Sequence, residues 1–175
     1  MNTASILKKE KVVETTQSFL SFKLGKEHFA IHVMKIMEIL EVPKITKVPC
    51  APNFLVGVVN LRGAVLPVID GRIKFGMSPI EFTINTCIIV LKIEMNEEEI
   101  MVGALVDSVS EVFEMEESKI QASPTIGTKY KADFIQGMIK ENDHFMMLLN
   151  IDAVFSSDEL ESIIEKREHA NPEQN

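Results

Sequence analysis

The stretch FLVGVVNLRGAVLPVIDGRIKFG, from Phe54 to Gly76, decides the fold that we predict for this chain. It holds two apolar runs, Phe54–Val59 and Ala64–Ile69, on either side of the polar segment Asn60–Gly63. Two apolar runs around a short segment that contains glycine are typical of a β-hairpin. We therefore predict a hairpin with Arg62 near its tip.

Three further hairpins are predicted on both sides of this one. Each consists of two apolar or alternating segments around a polar turn, and the three turns lie at Gly25–Glu27, Asn96–Glu99 and Glu141–Asp143. With four hairpins the chain is predicted to be mainly β. Short strands with turns at this density favour small barrels or sandwiches over a parallel α/β sheet.

Two other segments are less regular. The apolar residues from Val33 to Leu40 recur at three-to-four spacing, which suits a helical turn, whereas Ile39 and Pro43 suit a strand that leads into a loop. Both alternatives stay open. Further on, Ser156 lies three residues before Glu159, which is the spacing of a capping box and predicts a short C-terminal helix.

A weak internal repeat indicates two copies of one all-β unit. One set of residues recurs 73 positions later and another recurs 80 positions later, and Ile69-Asp70 returns as Ile151-Asp152. The first set matches Val33, Ile36, Glu38 and Ile39 with Val106, Val109, Glu111 and Val112; the second matches Phe54–Gly57 with Phe134–Gly137.

The composition excludes several classes of protein. Apolar residues make up 46% and charged residues 25% of the 175 residues, as in soluble globular domains and unlike disordered chains. The formal net charge of −8, a single tyrosine and the lack of tryptophan argue against nucleic-acid binding. No apolar run suits a signal peptide or a membrane span, and two scattered cysteines suit a reducing compartment. We therefore expect a cytoplasmic protein without nucleic-acid partners or direct membrane insertion.

No catalytic motif is visible in the sequence. The four histidines lack metal-ligand spacing, and the chain has no C-x-x-C, no phosphate-binding glycine loop and no nucleophile elbow. We expect no catalytic residue, no metal ligand and no cofactor. Met34, Met37, Met146 and Met147 are too clustered for all of them to point inward, so we expect some to be exposed to a partner. The sequence favours a binding module over an enzyme.

The NLRG turn followed by PVIDxRxKFG resembles the signature region of the CheW family of bacterial chemotaxis coupling proteins. FLSFKLGKEHFAIHVMKIMEIL, from Phe19, is similar to the family's opening hairpin and connector, and VGALVDSVSEVFEMEESKI, from Val102, to the matching part of its second half. The resemblance implies two small five-stranded SH3-like β-barrels packed on a shared apolar seam, with short helical connectors and a C-terminal helix. It divides the chain into a flexible segment 1–16, a CheW-like domain 17–168 of two barrel subdomains, and a flexible tail 169–175.

The resemblance also implies a function without catalysis. The family couples chemoreceptors, the methyl-accepting chemotaxis proteins, to the histidine kinase CheA by binding the regulatory domain of the kinase and the cytoplasmic tip of the receptors. The protein would then lie in the cytoplasm, associated with membrane receptor arrays through its partners, in rings with CheA or with itself. The alternative is a CheW-like adaptor of another chemosensory pathway, such as pilus-based motility.

Site residues follow from the resemblance by position. Receptor binding would involve Ile36 and Glu38 on the connector, Gly57, Asn60 and Arg62 in the signature hairpin, and Leu105 and Val106 in the second barrel. Kinase binding would involve Val42, Ile45 and Val56 in the first barrel, with Gln121 and Ile126 near the connector of the other. The alternatives are a turn charge paired with a neighbouring acid for Arg62, and plain core packing for Ile36 and Val106.

Overall fold

The computed structural model describes residues 15–122 and 134–155, which form ten strands and two short helices. The strands are β1 (Thr16–Leu24), β2 (Glu27–His32), β3 (Ile36–Glu41), β4 (Leu55–Leu61), β5 (Ala64–Asp70), β6 (Cys87–Met95), β7 (Glu98–Val106), β8 (Ser108–Glu116), β9 (Ile135–Glu141) and β10 (His144–Leu149). The helices are α1 (Gly71–Lys74) and α2 (Ile151–Phe155), and 3-10 turns span Val33–Lys35 and Glu117–Lys119. The predicted helix at Ser156 lies outside the described residues.

All four predicted hairpins are confirmed, and each has a two-residue loop. The loops use left-handed backbone conformations, which match the twist of the flanking strands; the residues with positive φ are Gly25, Arg62, Gly63, Asn96, Glu97 and Asn142. The third turn is shorter than predicted, because Glu98 and Glu99 already belong to β7. The segment that was left open contains both alternatives in succession: a 3-10 turn and then β3.

The strands form two five-stranded sheets, each of which curls into a small barrel. Barrel A has the strand order β8-β1-β2-β10-β9, and barrel B has the order β3-β6-β7-β5-β4. The first repeat is β1–β5 with α1, and the second is β6–β10 with α2. Each barrel therefore takes the first hairpin of one repeat and the last three strands of the other. The parallel pairs β2–β10 and β5–β7 and the antiparallel pairs β1–β8 and β3–β6 join the two parts. Leu105 and Val106 were predicted to lie in a different barrel from the other receptor-binding residues. This prediction is wrong, since β7 shares barrel B with β3, β4 and β5.

Hydrogen bonds fix the true offsets of the repeat. Asp70 N donates to the carbonyl oxygen of Phe54, and Asn150 N donates to that of Phe134, so the offset of 80 is confirmed. The counterpart of Asp70 is therefore Asn150, and the match with Asp152 is wrong. Asp152 instead forms an ion pair with Lys35.

The offset of 73 for the connector is also wrong. The first hairpin of each repeat, β1–β2 and β6–β7, has a two-residue loop. When these two loops are aligned, Leu20 corresponds to Leu91. Val112 pairs with Leu20, and Ile36 pairs with Leu91, which places Val112 and Ile36, 76 positions apart, at equivalent sites. The mismatch arose because β-branched residues recur along both edge strands and resemble one another at several registers.

A short backbone bridge closes each barrel beside a glycine. Thr46 and Val58 exchange two backbone hydrogen bonds of 2.9 and 2.8 Å in barrel B, and Gln121 and Met138 do so at the same distances in barrel A. A Cβ atom on Gly57 would overlap the carbonyl oxygen of Thr46. On Gly137 it would lie 2.6 Å from a side-chain carbon of Ile120 and 2.9 Å from the carbonyl oxygen of Gln121. The repeated glycine is thus a requirement of barrel closure.

Apolar side chains form three clusters. The largest fills the seam between the barrels and includes Phe22, Ile31, Ile89, Val106 and Phe155. Two smaller clusters fill the interiors, around Val90 in barrel B and around Phe19 in barrel A. The shared apolar seam that the resemblance implied is present.

A largely buried ion pair ties α1 to the opening hairpin. Arg72 donates from Nε and Nη2 to the two carboxylate oxygens of Asp107 at 2.7 and 2.6 Å, and Gly25 N donates to the same carboxylate at 2.6 Å. Partial burial acts to raise the pKa of Asp107, but the hydrogen bonds from Arg72 and Gly25 outweigh it. The pKa of Asp107 therefore lies below its ordinary value of 3.8.

We expect Gly57→Ala to destabilise the fold by about 3 kcal/mol, because the added methyl group meets backbone that closes the barrel. Gly63→Ala is the matched control: Gly63 also has a positive φ, but a Cβ there meets nothing within 4 Å, so only about 1 kcal/mol of backbone strain is expected. Urea unfolding of both variants measures the difference. Equal losses would show that closure does not depend on the approach at Gly57.

The Asp107 ion pair predicts a loss of stability in acid. Because the pKa of Asp107 is lower in the folded chain, its contribution is complete above about pH 4 and is lost as the pH falls through the folded value. Asp107→Asn should cost about 1–2 kcal/mol at pH 7, and the cost should shrink as the pH falls below about 4. Urea unfolding of both proteins across this range tests the expectation, and parallel curves for wild type and variant would contradict it.

Candidate functional site

The turn between β4 and β5 holds an exposed arginine beside an edge strand. Nη2 of Arg62 lies 2.7 Å from each carboxylate oxygen of Glu38 on β3, and the Arg62 side chain is 75% exposed. The alternative interpretation of Arg62, a turn charge paired with a neighbouring acid, is therefore confirmed as a contact. The pair nevertheless leaves most of the guanidinium open to a partner, since one nitrogen makes both bonds to Glu38.

The same turn is fixed by Asn60. Its side-chain oxygen accepts a hydrogen bond of 2.8 Å from Gly63 N, and the cross-strand neighbour of Asn60 is Val65, which is exposed. Glu38, Asn60, Arg62 and Val65 thus form one mixed polar and apolar surface, which we call the Arg62 face. It presents the charged pair of Arg62 and Glu38, the side-chain amide of Asn60 and the apolar side chain of Val65.

The other predicted receptor residues do not reach this surface with their side chains. Leu105 and Val106 are buried, at 5% and 2% exposure, so the alternative of core packing is confirmed for Val106. Ile36 is half-buried and packs against the seam. Gly57 lies at the barrel closure, where its lack of a side chain has the structural reason given above.

Exposed apolar residues also flank Glu38 along β3. Met37 and Ile39 point away from the side that Glu38 occupies, because successive strand residues alternate, and both are about half exposed. Met34, just before β3, is more exposed still, whereas Met146 is buried. The expectation that some of the clustered methionines are exposed is confirmed.

An open cleft of about 670 Å³ lies beside barrel B. Val42 and Ile45, two of the predicted kinase-binding residues, line it together with Phe82 and Ile84. Phe82 is about half exposed and Ile84 is 99% exposed, although both are large and apolar. An exposed apolar cluster of this kind is typical of a protein-binding surface. We call these four residues the Ile84 cleft.

Phe82 and Ile84 were not among the site residues predicted from the sequence. The signal that could have identified them is the alternation of Ile80, Phe82 and Ile84 with polar residues, which predicts a strand. The segment forms no strand; a turn in which Thr83 N donates to the hydroxyl of Thr86 at 2.8 Å ends it instead. An alternating pattern without a strand leaves its apolar side chains without a sheet to bury them.

The remaining predicted kinase residues are divided between the barrels. Val56 is half-buried and packs against the interior cluster of barrel B. Gln121 is exposed on barrel A, where its backbone bridge to Met138 corresponds to the bridge of Thr46 in barrel B. Ile126 lies outside the described residues. Gln121 therefore belongs to a second location and not to the Ile84 cleft.

One group of side chains in the described part of the chain has the donor atoms for a metal ion: His28, Glu141 and His144, with donors within 4.8 Å of one another. The expectation of no metal ligand depended on local spacing, and these residues are brought together by the fold. None of the described helices is both long and apolar enough to span a membrane.

Comparison with known proteins identifies a family. Residues 18–159 match the CheW-like domain. The chain is 33% identical to the chemotaxis protein CheW of Rhizobium meliloti (strain 1021), over 83% of this chain and 92% of that protein. It is 28% identical to the chemotaxis protein CheW of Bacillus subtilis (strain 168), over 87% and 95%. The crystal structure of the scaffolding protein TtCheW from Thermoanaerobacter tengcongensis superposes with a TM-score of 0.72 at 27% identity, over 83% of this chain and 96% of that one.

Proposed function

Since the chain belongs to the CheW family and is a chemotaxis coupling adaptor, we propose that it links chemoreceptors to the histidine kinase CheA through two separate faces of barrel B. The receptor tip binds at the Arg62 face, and the regulatory domain of CheA binds at the Ile84 cleft. The observation that carries the proposal is the exposure of Phe82 and Ile84 beside Val42 and Ile45. The matching relatives are chemotaxis proteins, so the alternative of another chemosensory pathway is not favoured.

The Arg62 face suits a receptor tip because such a tip is a helical hairpin with apolar ridges and carboxylates. Arginine can bond a carboxylate or a carbonyl through several N–H groups at fixed angles, which sets the register of the partner. Glu38 holds the guanidinium in place without using all of its donors. Val65 supplies apolar contact beside it.

The Ile84 cleft suits the kinase because it combines two exposed apolar side chains, Phe82 and Ile84, with one that is already held in position, Ile45. Ile45 is fixed by the Thr46–Val58 bridge and packs on the interior cluster of barrel B. An anchor that is rigid before binding loses little entropy on binding, so the contact yields more net affinity. Phe82 and Ile84 add exposed apolar surface that docking would remove from water.

Gln121 supports a second contact on barrel A. It occupies the counterpart of Thr46, next to the counterpart of Ile45, which is Ile120. A chain with two such locations on opposite barrels can bind one partner on each, and repeated contacts of this type form a ring where the rotation between successive molecules closes. We place the protein in the cytoplasm beside membrane receptor arrays, held there through its partners and without insertion into the membrane.

Arg62→Glu tests the receptor contact. We expect the variant to remain folded, because an exposed ion pair contributes little to stability, and to bind receptor tips at least tenfold more weakly. Co-sedimentation with receptor-containing membranes measures the binding. Binding equal to that of the wild type would reject the receptor role of Arg62.

The double variant Glu38→Arg/Arg62→Glu distinguishes a direct bond between Arg62 and the receptor from a structural role of the ion pair within the chain. It restores an ion pair across the same two positions but presents the opposite charge at the tip. If Arg62 bonds the receptor, the double variant binds as poorly as Arg62→Glu. If the pair acts only within the chain, the double variant recovers wild-type binding.

Ile84→Ser tests the kinase contact by calorimetric titration with the regulatory domain of CheA. The wild type should bind one to one with micromolar or tighter affinity, and the variant should lose about tenfold, or about 1.4 kcal/mol. Ile80→Ser is the matched control, since Ile80 is also exposed and apolar but does not line the cleft. Ile45→Ala should cost on the order of 2 kcal/mol of binding. Equal affinities for Ile84→Ser and wild type would remove the cleft from the interface.

A further inference from the structure

Three metal-ligating side chains from three strands meet at one end of barrel A. His28 lies near the start of β2, and Glu141 and His144 are the last cross-strand pair of the β9–β10 hairpin. Nε2 of His144 is 3.7 Å from Oε2 of Glu141, and the rings of His28 and His144 are 4.6 Å apart between centroids. His28 and Glu141 are half-buried, and His144 is exposed.

The donor set suits one kind of cation. Two imidazole nitrogens and one carboxylate oxygen are ligands that Zn²⁺ and similar transition-metal dications bind, whereas Mg²⁺ prefers oxygen ligands and water. Zn²⁺ bound at about 2.1 Å places tetrahedral ligands roughly 3.4 Å apart. The three donors lie within 4.8 Å of one another, so small side-chain rotations bring them to that separation. The exposed side of His144 leaves a fourth position for water.

The fold itself does not require these residues. The counterpart of the Glu141–His144 pair in barrel B is the last pair of the β4–β5 hairpin, Leu61 and Ala64. The counterpart of His28 is Glu99, by the alignment of the two opening hairpins. Barrel B therefore forms with no metal-ligating group at two of the three positions. The cluster lies at the barrel A counterpart of the Arg62 turn, on the other barrel from the Arg62 face and the Ile84 cleft.

We propose that His28, Glu141 and His144 bind one Zn²⁺-like transition-metal dication that links β2 to the β9–β10 hairpin. The register between β2 and β10 contains only two residue pairs, Phe29 with Met147 and Ala30 with Leu148. It is also the shorter of the two strand pairings, with β1–β8, that join the first repeat to the second in barrel A. A metal bound across it stabilises the folded chain, because the unfolded chain does not hold the three ligands together.

Lys23 is the charged residue that opposes this site most directly. It is the cross-strand neighbour of His28, so it brings a positive charge to the same side of the sheet. Its repulsion lowers the affinity for a dication. Lys23→Gln should therefore strengthen Zn²⁺ binding severalfold, which an unspecific surface association with Zn²⁺ would not show.

Titration of the full chain with Zn²⁺ by calorimetry, after removal of trace metal with a chelator, tests the proposal. We expect one site of micromolar affinity, no heat with Mg²⁺, and at least a tenfold loss for His28→Ala and for His144→Ala. Glu141→Gln should weaken binding and keep the stoichiometry. His32→Asn is the matched control: it removes a histidine of the same strand but retains an acceptor for Met34 N, so its affinity should be unchanged.

Two further measurements keep the test decisive if a variant folds poorly. In the wild type, saturating Zn²⁺ should raise the melting temperature by about 5 °C, and NMR signals of the His28 and His144 rings should shift while those of His32 do not. Absence of binding at millimolar Zn²⁺ would overturn the proposal. So would binding that persists in both histidine variants, or Zn²⁺-induced shifts confined to other residues.

Discussion

The parallel pairing of β2 with β10 and of β5 with β7 is the constraint on which the rest of this structure depends. Each pairing inserts the opening hairpin of one repeat beside the closing hairpin of the other. Neither repeat therefore contains all five strands of a barrel. Each barrel needs strands from both repeats, and the apolar seam between the barrels is also built from both.

Closure of barrel B connects this architecture to the two faces that we propose as binding sites. The bridge between Thr46 and Val58 needs the close approach at Gly57, and it also fixes Ile45 at the edge of the Ile84 cleft. At the end of β4, the turn to β5 brings Arg62 to Glu38 on β3. An adaptor has no chemical step to perform, so a rigid barrel that presents two faces at a fixed separation is sufficient for its function. Ile45 both packs and faces outward, which makes Ile84 the better position at which to measure binding alone.

Local features of the fold were predictable from the sequence, and non-local ones were not. The four hairpins were predicted because strand alternation and turn residues act within a few positions. The exchange of hairpins left no local signal, since Val68 and Gly103 pair across 35 positions without any shared pattern. Burial of Leu105 and assembly of the His28 cluster depend on the same exchange. The signature turn and Val42 with Ile45 were located by resemblance, while Phe82 and Ile84 were missed because an alternating segment forms no strand.

The two barrels of this chain show which features the fold requires, because a feature that closure requires is present in both barrels. The closing bridge, the glycine beside it and the two-residue hairpin loops are present in both barrels. The Arg62–Glu38 pair is not, since its counterparts are Asn142 and Phe113, which cannot form an ion pair. Barrel A closes without that pair, so closure alone does not explain it in barrel B. Glu141 and His144 differ in the same way from their counterparts Leu61 and Ala64, so barrel closure does not explain the presence of these two metal-ligating groups in barrel A.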